Sequence, residues 1–127
     1  MIKIDDLATE IEKELKNYSQ DIADGVKADV KQVAKECRDE IKRNSPRLTG
    51  DYAKGWRTET NFESREDIRI TVHNKTDYQL THLLEDGHAG RGGTSKGAAP
   101  PYPHIGPAEE NAAKKLEERV TVRVTKR

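Results

Sequence analysis

The sequence predicts an α+β fold, with a long N-terminal amphipathic helix packed on a small, mainly antiparallel sheet, two shorter helices and a long glycine-rich loop. Three observations predict it. Apolar residues recur every three or four positions over residues 4–44, the period of one helical face. Residues 68–73 alternate apolar and polar side chains, as half-buried strands do. Residues 87–103 are rich in glycine and proline and separate two further helical patterns.

The long helix is predicted from an unusually regular apolar stripe. Its members are Ile4, Leu7, Ile11, Leu15, Tyr18, Ile22, Val26, Val30, Val33, Cys37 and Ile41. Gly25 lies within the pattern and costs about 1 kcal/mol relative to alanine, so a break there stays open. Pro46 stops the helix, because the residue before a proline avoids the helical conformation. Cys37, the single cysteine, is expected to pack as a small apolar residue.

The remaining elements follow in chain order. Residues 56–73 are predicted to form a pair of strands, with Trp56 packed in the core beside the long helix. Residues 78–86 form a short helix that Gly87 ends, and 107–118 form another, with Pro107 in its first turn. Residues 120–124 alternate valine with polar residues and are predicted to form a closing strand. The whole chain, 1–127, is predicted to be one domain.

The composition argues against a dedicated nucleic-acid-binding domain and against a membrane-spanning protein. The 127 residues carry 23 basic and 23 acidic side chains, whereas dedicated nucleic-acid-binding domains are usually strongly basic. Large aliphatic residues are scarce, which predicts a thin core, and oligomerisation often supplements such cores. No apolar run is long enough to span a bilayer, so no membrane partner is expected.

Histidines around the glycine-rich loop raise the possibility of a metal-dependent enzyme. His82, Glu85 and His88 recur at intervals of three, and His104 follows the loop. Gly87 ends the helix, however, so His88 is expected to point away from His82 and Glu85. The sequence contains no HExxH pattern and no cysteine pair. Histidines that anchor turns explain the pattern better, and we expect no catalytic residues, no metal and no cofactor.

The glycine-rich loop itself is the predicted contact with a partner. Its central residues are Arg91, Gly92, Gly93, Thr94, Ser95 and Lys96. The stretch lacks the Gly-Lys-Ser/Thr of a phosphate-binding loop. A flexible loop between anchored ends can become ordered against a partner, and its two cations suit an acidic surface or nucleic acid that passes close by.

Three stretches of this sequence carry a resemblance to a known family. They are NKTDY (74–78), HLLEDGH (82–88) and PYPHIGPAE (101–109), with SPRLTG (45–50) and the Gly55-Trp56 pair upstream. The chain resembles the HK97 gp10-like family of phage neck, tail-completion and head-tail joining proteins. The resemblance makes Tyr78, His82, Glu85, His88, His104 and Pro107 the anchors of the motif on either side of the loop.

The resemblance implies a non-enzymatic protein that forms a ring at the head-tail junction of a tailed phage or prophage. The implied partners are further copies of itself, the head-side connector, and the tail terminator or tail tube, with DNA passing nearby without specific binding. The protein would lie in the virion, and in the bacterial cytoplasm during assembly. A nucleic-acid-contacting accessory protein is the alternative. It would use Arg91, Lys96, Arg119, Arg123, Lys126 and Arg127.

Overall fold

The computed structural model describes residues 9–46, 50–76, 81, 84–87 and 101–125. The predicted α+β class is confirmed, with the long helix packed on an antiparallel sheet. The elements are strand β1 (Thr9–Glu14), helix α1 (Gln20–Asn44), helix α2 (Asp51–Lys54), strand β2 (Trp56–Glu63), strand β3 (Asp67–Asn74) and helix α3 (Gly106–Thr125). Thr81 and residues 84–86 are also helical.

The sheet has three strands in the order β1-β3-β2, and both pairings are antiparallel. The central strand, β3, lies where the alternating pattern predicts it. Its residues Ile68, Ile70 and Val72 are buried, and this face of the sheet packs against α1. The other face is polar, since the intervening residues of β3 are arginine, threonine and histidine.

The prediction of one helix over residues 4–44 is wrong for its N-terminal part. Residues 9–14 form β1, which pairs with β3 so that Ile11 lies opposite Ile70. Ile11 and Leu15 are four residues apart, a spacing that fits one helical turn and also two strand repeats, so periodicity could not separate the two structures. The contact with β3 decides it, because as a strand residues 9–14 pair along the length of β3 and still bury Ile11 in the core. Residues 4–8 lie outside the described part of the chain.

Helix α1 instead begins after Ser19, whose hydroxyl accepts a hydrogen bond from the backbone N–H of Ile22 at 3.4 Å. From there the predicted apolar stripe is buried as expected. It contributes Val26, Val30, Val33, Cys37 and Ile41 to the core. The helix continues through Gly25 without a break. Burial raises the pKa of the Cys37 thiol to about 12, so this cysteine is a packing residue.

The predicted strand at 120–124 is also wrong, because α3 continues as helix to Thr125. Strand β3 has β1 on one side and β2 on the other, so it offers no edge for a further strand. Arg119 and Arg123, one helical turn apart, both reach α1. Arg123 binds Asp29 at 2.7 and 2.9 Å, and Arg119 binds Glu36 at 2.9 Å. These contacts override the strand preference of the alternating valines.

Helices α1 and α3 run antiparallel, since Asn111 of α3 donates to Glu40 near the end of α1, while Arg123 meets Asp29 near its start. Two small residues of α3, Ala108 and Ala112, are buried in the common core. Among the described residues, no helix is long and apolar enough to cross a membrane.

Candidate functional site

The start of α3 is held by a side chain that lies about twenty residues earlier in the sequence. Glu85 Oε1 accepts hydrogen bonds from the backbone N–H groups of His104 (2.8 Å) and Ile105 (2.9 Å), and its Oε2 accepts from Gly106 (2.9 Å). The first N–H groups of a helix have no partner within it and carry partial positive charge. One carboxylate therefore satisfies the first N–H group of α3, that of Gly106, and the two backbone N–H groups just before it.

The side chain of His104 is fully buried beside this carboxylate, with 0% of it exposed. Its Nδ1 lies 2.7 Å from the carbonyl oxygen of Tyr102 and 3.0 Å from Glu85 Oε1. Both neighbours are acceptors, so Nδ1 carries a proton. Nε2 lies 2.6 Å from the hydroxyl of Tyr52. In the neutral tautomer with the proton on Nδ1, Nε2 accepts a hydrogen bond from that hydroxyl.

Aromatic rings enclose the imidazole. Tyr52, Trp56 and Tyr102 each meet His104 edge to face, with ring centroids 5.6, 6.2 and 6.1 Å away. We call Tyr52, Trp56, Glu85, Tyr102 and His104 the His104 cluster. Tyr52 comes from α2 and Trp56 from the start of β2, so the cluster joins the α2–β2 corner to the start of α3.

The cluster is also tied to the C-terminal end of α1. The indole N–H of Trp56 donates to Ser45 Oγ at 3.0 Å, and that hydroxyl donates to the carbonyl of Ile41 at 2.6 Å. On the opposite side, the amide of Asn74 donates to the carbonyl of Tyr52 at 2.7 Å. A Cβ at Gly55 would lie 3.1 Å from Asn74 Cγ, so glycine lets this corner close.

The charge of Glu85 fits its position. Burial alone raises the pKa of this carboxyl, but the backbone N–H groups of His104, Gly106 and Ile105 and the electrostatic effect of the His104 ring outweigh burial. The net pKa lies below its ordinary value. Glu85 is therefore ionised at neutral pH, as an N-terminal helix cap requires.

The site predicted from sequence is only partly brought together. Glu85 and His104 are in direct contact, and Pro107 occupies the first turn of α3 as expected. Tyr78, His82, His88 and the loop residues 91–96 lie outside the described residues. Tyr52 was missed as a cluster member, because no local pattern connects it to His104, fifty-two positions later.

The arrangement does not resemble a metal site. Within the described residues, no group of three or more His, Cys, Asp or Glu side chains is placed to hold an ion. The atoms of Glu85 and His104 that could coordinate a metal already bind backbone groups and Tyr52. The hydrogen bonds of this site hold residues 84–85 against residues 102–106.

The cluster fixes the position of residues 84–87 relative to residues 101–106. The backbone N–H of Tyr102 donates to the carbonyl of Leu84 at 2.8 Å, and Glu85 binds the backbone that follows. Gly87, with φ of 77°, ends the helical residues 84–86 in the left-handed conformation that glycine adopts readily. Residues 84–87 and 101–106 are therefore held against each other.

Comparison with known proteins identifies the group to which this chain belongs. Residues 9–87 match the family model HK97-gp10_like, described as "Bacteriophage HK97-gp10, putative tail-component". The chain belongs to this HK97 gp10-like family. The match includes all three strands, α1, α2 and Glu85, whereas His104 and α3 lie beyond it. No curated protein and no solved structure matches the chain.

Membership makes this HK97 gp10-like chain a phage tail-associated structural protein. The resemblance noted in residues 45–50, 55–56, 74–78 and 82–87 lies within the matched region. Helix α3 lies beyond the matched residues, and the His104 cluster attaches it to them.

Proposed function

We propose that this HK97 gp10-like protein is a non-enzymatic component of a ring at the head-tail junction of a tailed phage or prophage. The family match over residues 9–87 carries the proposal. Its neighbours in the particle would be the head-side connector and the tail terminator or tail tube. The protein would gather in the bacterial cytoplasm and end in the virion.

The structure supports an assembly role through the surfaces it leaves exposed. Phe62 on β2 is 49% exposed, and Val122 near the end of α3 is 50% exposed. Exposed apolar side chains of this size are available for contacts with other virion proteins. Among the described residues, Glu85 binds backbone N–H groups and His104 meets the hydroxyl of Tyr52, so both side chains have partners within the fold.

The segment 88–100 is the proposed contact with a neighbouring virion protein. Arg91 and Lys96 are its only charged residues, and they favour an acidic surface. The described residues on either side of the segment, 84–87 and 101–106, are held together by the His104 cluster. Partner contacts are often carried by loops placed on a rigid scaffold.

The alternative, a nucleic-acid-contacting protein, loses part of its support. Arg119 and Arg123 were two of its six basic residues, and both form ion pairs with α1. A titration with salt separates the hypotheses, because phosphate contacts make DNA affinity fall steeply as salt rises. A junction protein that DNA merely passes is expected to show no such binding at moderate ionic strength.

Electron microscopy of particles made without this protein tests the proposal. We expect filled heads and separate tails, with joining restored by the wild-type protein supplied from a plasmid. Arg91→Ser with Lys96→Ser is the informative second variant, because it removes the charge of the loop and leaves the His104 cluster intact. Normal joining in the complete absence of the protein would refute the proposed function.

A further inference from the structure

The end of α3 is helical although its sequence suits a strand. We call residues 120–125 the valine segment, because Val120, Val122 and Val124 alternate there with polar residues. Branched side chains such as valine are favoured in strands and lose rotational freedom in helices. Val122 and Val124 are 50% and 38% exposed, and every residue from 121 to 125 is exposed. The helical form of this segment therefore gains little from burial.

Two arginines hold the valine segment on α1. Arg123 binds both carboxylate oxygens of Asp29, at 2.7 and 2.9 Å, and Arg119, just before the segment, lies 2.9 Å from Glu36. Both arginine side chains are partly exposed. Exposed ion pairs contribute little to stability, because water and salt screen them. The contacts that keep the segment helical are thus largely polar, and other charged partners can replace them.

Strand β1 has an open edge with a matching pattern of side chains. It pairs with β3 on one side, and no strand among the described residues pairs with the other side. Ile11 is buried on the α1 face of the sheet, opposite Ile70. The alternate residues of β1 lie on the other, polar face, and they are Glu10, Glu12 and Glu14. A strand added at this edge needs apolar side chains on one face and basic or neutral polar ones on the other.

The valine segment, in extended form, meets both requirements. When Val122 lies beside Ile11, the other two valines fall on the same face, and Arg123 lies beside Glu10 or Glu12, depending on the strand direction. Arg69 already lies 2.9 Å from Glu10 and 3.5 Å from Glu12, so one guanidinium serves a row of three glutamates. A second arginine on this face would form a favourable cross-strand pair.

The valine segment cannot pair along the edge of its own β1. Helix α3 runs in the same direction as β1, since Ala112 shares a groove with Thr9, whereas Val124 shares one with Lys13 near the end of the strand. An extended segment rises about 3.3 Å per residue and would run past the end of its own β1. It contains no glycine or proline for a turn back. The strand edge that it reaches therefore belongs to another molecule.

We propose that the valine segment leaves α1 when subunits assemble, becomes a strand, and pairs with the outer edge of β1 in the next copy. Its departure removes Val120 and Val124 from the groove beside its own β1, so each copy opens an edge as it supplies a strand. Donor and acceptor surfaces differ, so the contact is head to tail, and such contacts form rings when the rotation closes. The inference rests on the proposed function and specifies how neighbouring subunits of that ring join.

Two double variants test the need for the valines. Val122→Ala with Val124→Ala favours the helix, disfavours the strand and leaves both arginines in place. It is expected to raise the dissociation constant for self-association at least about tenfold, because two cross-strand pairs are lost. Lys114→Ala with Glu118→Ala is the matched control, since both residues are exposed on α3 outside the segment. Light scattering over a range of concentrations measures assembly, and a valine variant that assembles like the wild type overturns the proposal.

Infrared spectroscopy distinguishes an added strand from a docked helix. Valine labelled with carbon-13 at its carbonyl reports on Val120, Val122 and Val124 together with the valines of α1 and β3. Upon assembly, part of the labelled amide band is expected to move from the helical to the strand frequency. The Val122→Ala, Val124→Ala variant, which lacks two of the labels, should show little of this change. Subunits that associate while the labelled band stays helical would refute the strand.

Cross-linking covers the case in which the free protein assembles only weakly. Glu10 lies beside Ala112, and Thr121 follows about 13 Å further along α3, so cysteines at positions 10 and 121 are too far apart to be joined within one chain by a short bis-maleimide. Glu10→Cys with Thr121→Cys is expected to give a ladder of multimers in concentrated solution and in assembling lysates. Cys37 is buried and serves as an unreactive background. Absence of the ladder under both conditions overturns the interface, whereas the proposed function fails separately, if particles without the protein join heads to tails normally.

Discussion

Glu85 and His104 form one unit in which a single carboxylate binds the backbone N–H of His104, stands 3.0 Å from its Nδ1, and extends to the two residues that follow. The unit couples the helical residues 84–86 to the start of α3. It lies at the boundary of the region matched by the family model. Glu85 is therefore a structural residue, and its replacement should lower the free energy of unfolding.

Glu85→Ala should destabilise the protein by about 2 kcal/mol, because three N–H groups at the start of α3 lose a charged acceptor. Glu85→Gln should cost less, since one amide oxygen can still accept two of these bonds. Urea unfolding at pH 7 measures both free energies. Equal stability of wild type and Glu85→Ala would show that the cap contributes nothing.

The same carboxylate predicts how stability depends on pH. The folded-state pKa of Glu85 is depressed below its ordinary value of 4.5. Its contribution is therefore present in full above about pH 4.5 and is lost as the pH falls through the lower, folded-state pKa. Urea unfolding from pH 7 down to pH 3 should show a decline that is shallower in Glu85→Gln. Identical pH profiles for the two proteins would contradict this role.

Tyr52→Phe should cost about 1–3 kcal/mol, because it leaves the buried Nε2 of His104 without the hydroxyl at 2.6 Å. The matched control is Tyr102→Phe, which removes a hydroxyl from a side chain that is half exposed. Thermal unfolding followed by circular dichroism compares the two. If both substitutions lower Tm equally, the Tyr52–His104 hydrogen bond is unimportant.

Gly25 is explained by the side chain that covers it. A Cβ at this position would lie 2.6 Å from Cδ of Arg123, which crosses Gly25 to reach Asp29. Alanine is favoured over glycine within helices by about 1 kcal/mol. Gly25→Ala should deliver that gain in an Arg123→Ala background and clearly less of it in the wild type. A double-mutant cycle based on urea unfolding measures the difference, and perfect additivity would exclude the proposed conflict.

Sequence patterns predicted those features that depend on local spacing. The stripe of α1 and the alternation of β3 each contain enough repeats to define one period, and Gly87 ends its helical residues by φ alone. The wrong predictions concern short segments, in which too few residues repeat to define a helical or a strand period. Ile11 belongs to β1 because residues 9–14 pair with β3, and Val122 is helical because Arg119 and Arg123 bind α1.

The His104 cluster could be predicted only in part, because it depends on contacts between residues that are far apart in the sequence. Glu85 and His104 stand out because they flank a long glycine-rich stretch, and the same motif residues carry the family resemblance. Their role as a backbone cap depends on where Leu84 and Tyr102 meet, a contact between distant parts of the chain. Tyr52 gives no local signal at all, since only the packing of α2 against His104, just before α3, places its hydroxyl beside the imidazole.

Immunogold electron microscopy of intact virions tests the central claim most directly, because it locates the protein without depending on any substitution. With antibodies against this HK97 gp10-like chain, the account predicts gold particles concentrated where the head meets the tail. The same preparation should show no label on particles assembled without the protein. Label at the distal tip of the tail, or purified virions that carry none of the protein, would contradict it.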